Sequence, residues 1–213
     1  MIQKDKTNKR IKDILSIAKN RKIKVNFLEK SFFQKKFKDK THQGIVAIIS
    51  KFSYYNLNDF FQSKFILILD SITDQHNFGS IVRSADFFGV EAIVISKDRS
   101  VSVNDTTVKT SSGSIFNIPI VKETNLTTTI EKLKKNGFFI VATSPNAADS
   151  IDNLPKLEKK VLIIGNEEKG IRKKILEHSD FNVALKNLGK TTSLNAAVSA
   201  AIFIYELTKE RVK

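Results

Sequence analysis

The stretch LDSITDQHNFGSIVRSADFFGVEAIVI, residues 69–95, decides how the chain is read. It begins on the last residue of one apolar run, Phe65-Ile66-Leu67-Ile68-Leu69, and ends on a second, Ala92-Ile93-Val94-Ile95. Between them lie a polar loop, Asp74-Gln75-His76-Asn77-Phe78-Gly79, and a segment whose apolar residues recur at helical spacing. Unbroken apolar runs joined by a helix are the mark of parallel strands buried on both faces.

The alternation continues to the end of the chain. Strands are expected near 65–69, 92–95, 118–121, 138–142, 161–164 and 183–185, with helices near 78–88, 104–111, 126–135, 171–178 and 194–211. This predicts an α/β fold, a parallel sheet flanked by helices. In such sheets ligands bind beyond the carboxyl ends of the strands, so the chemistry is expected in the loops after Leu69, Ile164 and Leu185. Ahead of the sheet, Ile11, Ile14, Leu15 and Ala18 have helical spacing, residues 25–28 read as a short strand, and Phe32, Phe33 and Phe37 suit a second amphipathic helix. The expected division is a small α/β region over 1–44, a connector over 45–64 with a short helix near 57–61, and the main domain over 65–213.

Hydrophobic residues make up 41% and charged residues 27% of the 213, a composition that folds rather than one that stays disordered. The absence of cysteine excludes disulfides and thiolate metal sites, and His42, His76 and His178 show no ligand spacing, so no metal is expected. No apolar run approaches the roughly 20 residues that cross a bilayer, and the opening MIQKDKTNKR lacks a signal peptide's apolar stretch. No membrane association and a cytoplasmic location are the expectation. The net charge of +14 is concentrated in front: residues 1–64 carry 16 Lys and Arg against 5 Asp and Glu, the remainder 20 against 17. A general preference for lysine would touch both parts alike, so the front is read as a polyanion-binding segment, most simply for nucleic acid.

Three loops carry the candidate chemistry. In the first, Asn77 can cap the following helix and Gly79 lets another backbone or a ligand approach. Arg83, one of only 6 arginines among 36 basic residues, follows Gly79 by four positions, and helical side chains lean toward the N-terminus. It can therefore make a forked anion site at the helix mouth. The second is Gly165-Asn166-Glu167-Glu168-Lys169-Gly170. It lacks the Gly-Lys-Ser/Thr ending of a triphosphate loop, and its two acids suit a helix's first turn, with Glu167 the better functional candidate. In the third, Leu185 to Asn195, Ser193 suits the N-cap of an apolar last helix, and Asn195 falls just inside it.

Together, Asn77-x-Gly79-x-x-x-Arg83, Gly165-x-Glu167-x-x-Gly170 and Ser193-Leu194-Asn195 resemble the three motifs of the SpoU family of RNA 2′-O-ribose methyltransferases, in the SPOUT superfamily. The likeness runs from Phe65 to the end. His42-Gln43-Gly44-Ile45-Val46-Ala47 and Lys97-Asp98-Arg99-Ser100 resemble the branch that methylates a guanosine of bacterial 23S ribosomal RNA. The resemblance implies a C-terminal trefoil knot, a homodimer and S-adenosyl-L-methionine as cofactor, with RNA as substrate, ribosomal before transfer RNA. Gly165, Leu185 and Leu194 would contact the cofactor, with Thr143 beside them. Asn77, Arg83, Glu167, Ser193 and Asn195 would form the catalytic set. A transfer RNA methyltransferase and an RNA-binding ribosome-assembly factor without the chemistry are the alternatives. The chain departs from the pattern at Gln75, where the family usually has proline, and at Leu185-Lys186-Asn187, where it has Ile-Pro-Met. Residues 1–44 resemble only the latter half of the family's N-terminal RNA-binding domain.

Overall fold

A computed structural model describes residues 1–38, 42–98 and 100–209. Arg99, within the second of the two stretches that resemble the 23S branch, and the expected end of the last helix at 211 lie outside them. The chain divides into two compact units, Met1–Phe52 and Ser53–Lys213. The division falls inside the expected connector: 45–52 belong to the first unit and 53–64 to the second.

In the first unit, β1 (Ile2–Gln3) pairs in parallel with β2 (Phe27–Leu28). Between them runs α1 (Lys9–Asn20), capped by Asn8, whose side chain accepts from Ile11 N–H, and burying Ile11 and Ala18. After β2 comes α2 (Lys30–Lys36), which buries Phe33 completely. Phe33 packs in a cluster with Phe32, Phe37 and His42, ring centroids 5.1–6.4 Å apart.

The second unit contains β3 (Phe65–Leu69), α3 (Gln75–Phe87), β4 (Ala92–Ser96), α4 (Asp105–Thr110), β5 (Ile120–Glu123), α5 (Leu126–Lys135), β6 (Phe139–Thr143), β7 (Asp149–Ser150), β8 (Lys160–Ile164), α6 (Lys173–Leu176), β9 (Phe181–Ala184) and α7 (Ala196–Thr208). Its sheet has seven strands in the order β5-β4-β3-β8-β6-β9-β7, and every pairing is parallel. All five residues of β3, β4 and β8 are buried, as unbroken apolar runs require when helices cover both faces. The expected α/β sheet is therefore present. The two-residue edge strand β7 was not anticipated, being too short to show a pattern.

This order creates the site. From β3 the chain winds outward through β4 to β5, then returns to the other side of β3 with β6 and β8, so the direction of winding reverses between β3 and β8. Crevices for ligands open at such a reversal. The expected freedom at Gly79 is used for packing: a Cβ there would lie 2.6 Å from Thr110 Cβ, so the glycine lets α3 approach α4. Among the described residues no helix is long and apolar enough to cross a membrane.

Candidate active site

Asn77 is not the cap of its helix. That position is taken by Asp74, whose carboxylate accepts from Asn77 N–H at 2.7 Å. The competition is local: both residues can cap, and the helix begins at the earlier one. Gln75 then occupies the first helical position, where proline is well tolerated, so the departure from the family pattern leaves the backbone undisturbed. Its side chain gains a bond that proline cannot make, accepting from the buried Thr107 hydroxyl at 2.6 Å.

Relieved of capping, the half-buried Asn77 side chain links the other two loops. Its Nδ2 donates to Glu167 Oε1, and its Oδ1 accepts from Asn195 Nδ2 at 2.9 Å. Asn195, not Ser193, is the cap of α7: its Oδ1 accepts from the N–H groups of Ala197 and Val198 at 2.9 and 3.3 Å. The helix thus starts at Ala196, after Asn195, which explains an asparagine that would sit poorly inside a helix. Glu167 is not in a helix's first turn either. Residues 166–170 form a tight turn in which Asn166 and Gly170 exchange backbone bonds, and α6 begins only at Lys173. Asn166 Oδ1 accepts from Glu168 and Lys169 N–H, fixing the turn from within.

Beside this relay a cavity of about 550 Å³ opens where β6, β8 and β9, adjacent in the sheet, end. Thr143, Gly165, Leu185 and Leu194 all line it, and so do Glu167 and Ser193. The Thr143 hydroxyl donates to the Ile163 carbonyl at 3.0 Å. Gly165 has no room for a side chain: a Cβ would sit 2.3 Å from the Gly170 carbonyl carbon and 2.5 Å from Ile171 N. Arg83 stands apart. It is exposed, it makes no hydrogen bond or ion pair among the described residues, and the six-residue step from Asn77 turns it about 120° round the helix. The arginine bonded into these loops is Arg172, held by the buried Asp70, and neither residue stood out in the sequence. Among the described residues no group of three or more His, Cys, Asp or Glu is placed to hold a metal.

Two family models match the chain: the SpoU rRNA Methylase family over residues 64–205, and the RNA 2′-O ribose methyltransferase substrate binding family over residues 1–55. A Staphylococcus epidermidis protein ascribed to the TrmH family of tRNA/rRNA methyltransferases is 35% identical, over 99% of this chain and 87% of that protein. The SpoU methyltransferase AviRb of Streptomyces viridochromogenes, crystallised with AdoMet, is similar with a TM-score of 0.64 and 26% identity, over 70% of this chain and 58% of that one. An AdoMet-bound rRNA methyltransferase of Sinorhizobium meliloti shares the fold with a TM-score of 0.81 at 21% identity, over 94% and 77% of the two chains. The chain belongs to the SpoU rRNA methylase family and is an S-adenosyl-L-methionine-dependent RNA 2′-O-methyltransferase.

The residues present fit that cofactor. The cavity is of a size that holds a nucleoside-bearing ligand, and the loops after β6, β8 and β9 line it together with the apolar Ile164, Leu176 and Phe203. Replacing Gly165 by Ala forces the 165–171 backbone apart. Binding of S-adenosyl-L-methionine, measured by calorimetry, is expected to weaken at least about tenfold, the equivalent of ~1.4 kcal/mol and within the usual cost of overpacking. Unchanged affinity would show that the tight turn is irrelevant to the cavity.

Proposed function

We propose that the chain methylates the ribose 2′-OH of one guanosine in 23S ribosomal RNA, acting in the cytoplasm as a homodimer. The observation that carries the catalytic reading is the directed relay from the N–H groups of α7 to Asn195, from Asn195 to Asn77, and from Asn77 to Glu167. Residues from all three motifs meet in it at the edge of a cavity lined by the proposed cofactor contacts, Thr143, Gly165, Leu185 and Leu194. The same reading has the segment after β9 pass through the chain as a trefoil knot, which would bring these separated main-chain groups round one ligand. The basic excess of residues 1–64 and the match of the first unit to a substrate-binding family support RNA as the partner of that unit.

Bound S-adenosyl-L-methionine supplies a methyl group already activated by its sulfonium. What the protein must handle is the 2′-hydroxyl, which loses its proton as its oxygen attacks. Glu167 holds one oxygen against Asn77 and keeps acceptor capacity on both, enough to receive a ribose hydroxyl and orient it. Arg83 is no free base, because guanidinium stays protonated. Its role is to grip the phosphate beside the target ribose and stabilise charge developing on oxygen, the proton leaving through that phosphate or water. Ser193 and Asn195 hold the third loop against the cavity.

Pairing of two copies supplies what one copy lacks around Arg83. On α7, Val198, Ile202 and Tyr205 form an exposed apolar stripe at helical spacing. Tyr205 lies 5.8 Å from the Phe88 ring, which meets Phe87, itself 82% exposed and one turn beyond Arg83. An apolar patch of this extent fits a protein interface, and Arg83 borders it. Sedimentation at micromolar concentration is expected to show a dimer; a single 24.0 kDa species would contradict the pairing.

Incubation with tritiated S-adenosyl-L-methionine and unmodified ribosomal and transfer RNA transcripts tests the substrate. Label is expected at one guanosine 2′-O of 23S RNA. Label confined to transfer RNA would move the assignment to that substrate, and no label in either would overturn it. In the same assay Arg83→Lys is expected to lower turnover by about 100-fold, the order seen when a preorganised donor to developing charge is lost. Near-normal turnover would show that the forked geometry is not used.

A further inference from the structure

Beneath the relay, the loops after β3 and β8 are joined a second time, by a pair outside the three motifs. Asp70, wholly buried at the end of β3, accepts through Oδ2 from the Arg172 backbone N–H at 2.9 Å. Its Oδ1 accepts from Arg172 Nε at 2.8 Å and from the Ser71 hydroxyl at 3.1 Å, and one terminal guanidinium nitrogen stands 2.8 Å away as an ion pair. Two more bonds cross at the same level: Asp70 N–H donates to the Ile164 carbonyl at 2.8 Å, and Asn166 Nδ2 to the Ser71 carbonyl at 3.2 Å. Ser71 is held at a φ of +62°, a left-handed conformation that a non-glycine residue keeps only when its surroundings fix it.

A buried carboxylate is expensive unless it is paired and fully hydrogen-bonded, and replacing such a pair by apolar residues is often neutral or stabilising. The sheet does not need this pair, since β3 and β8 are already in register along all five residues from Phe65↔Lys160 to Leu69↔Ile164. What the pair spans is the foot of each loop. Asp70 begins the segment that delivers Asn77 seven residues later, and Arg172 closes the turn that carries Glu167.

We propose that Asp70 and Arg172 are positioning residues for methyl transfer, a clamp that fixes the foot of both loops so that Asn77 and Glu167 meet at their tips. The inference rests on the reading of Asn77 and Glu167 as members of the catalytic set. It places part of the control of the site in an ion pair 102 residues apart in sequence and outside the cavity lining.

Two measurements on the full chain test it. In hydrogen exchange, Asp70→Asn is expected to speed exchange of the amides of 165–172 by at least about tenfold while those of β8 keep their protection. In single-turnover methyl transfer, the same variant is expected to lower the rate by about tenfold with RNA affinity within about twofold. Added to Glu167→Gln it should cost less than about twofold more, since a clamp acting through Glu167 has nothing left to position. Arg172→Lys, which keeps the charge and loses the fork, should fall between wild type and Asp70→Asn. Should Asp70→Asn not fold, Arg172→Gln, at a side chain 54% exposed, carries both measurements. Unchanged exchange of the turn, or losses that multiply fully in the double variant, would overturn the clamp. A wild-type protein that transfers no methyl would sink the catalytic reading instead, with the exchange result still deciding whether the pair holds the loops.

Discussion

The junction of the second unit's three loops depends on the orientation of one side-chain amide. Glu167 can only accept, and the Oδ1 of Asn195 is already occupied by the N–H groups of α7, so only one of the two orientations of the Asn77 amide satisfies both neighbours. The relay has a direction for that reason. It starts at the N-terminus of a thirteen-residue helix, where unpaired donors and the helix dipole gather positive character, and it ends on a carboxylate. The glutamate is thereby held in place with acceptor capacity to spare, as its proposed role of orienting a hydroxyl requires.

That arrangement is made possible by the strand order. The reversal between β3 and β8 sets the first and second loops side by side, and the adjacency of β8, β6 and β9 lets the second and third share a cavity. Glycine at 165 permits the turn to fold back on its own strand end, and the Asp70–Arg172 pair ties its foot to β3. The loop at Leu185-Lys186-Asn187 is shaped by Asn187, which donates to the Thr191 carbonyl at 2.8 Å and accepts from Gly189 N–H at 2.9 Å.

Much of this was legible in the sequence, and what was not has identifiable causes. The central strands announced themselves because burial on both faces leaves no polar residue in Phe65–Leu69 or among Val161-Leu162-Ile163-Ile164. The three loops could be located because an α/β sheet puts its chemistry at strand ends. The caps were misread because capping is a contest among neighbours: Asp74 precedes Asn77 and Asn195 follows Ser193, and each of the four has a side chain able to cap. The short α6 was overestimated because Arg172, inside the expected helix, is instead its N-cap with its N–H given to Asp70, and the helix ends at Leu176. The clamp was invisible, since Asp70 and Arg172 share no local pattern and are brought together only by the pairing of β3 with β8. Arg83 was singled out for its rarity and its place after Gly79, yet in a single copy it reaches none of the relay.

Methyl transfer as proposed requires the donor to sit in the cavity at the ends of β6, β8 and β9, with Glu167 at its edge. A crystal structure of the chain soaked with S-adenosyl-L-methionine tests this most directly. Density for the cofactor is expected inside that cavity, against the main chain of Gly165, Leu185 and Leu194, with the Asn195–Asn77–Glu167 relay intact. Cofactor bound elsewhere on the second unit, or an Asn77 amide turned away from Glu167 when the cofactor is present, would contradict it.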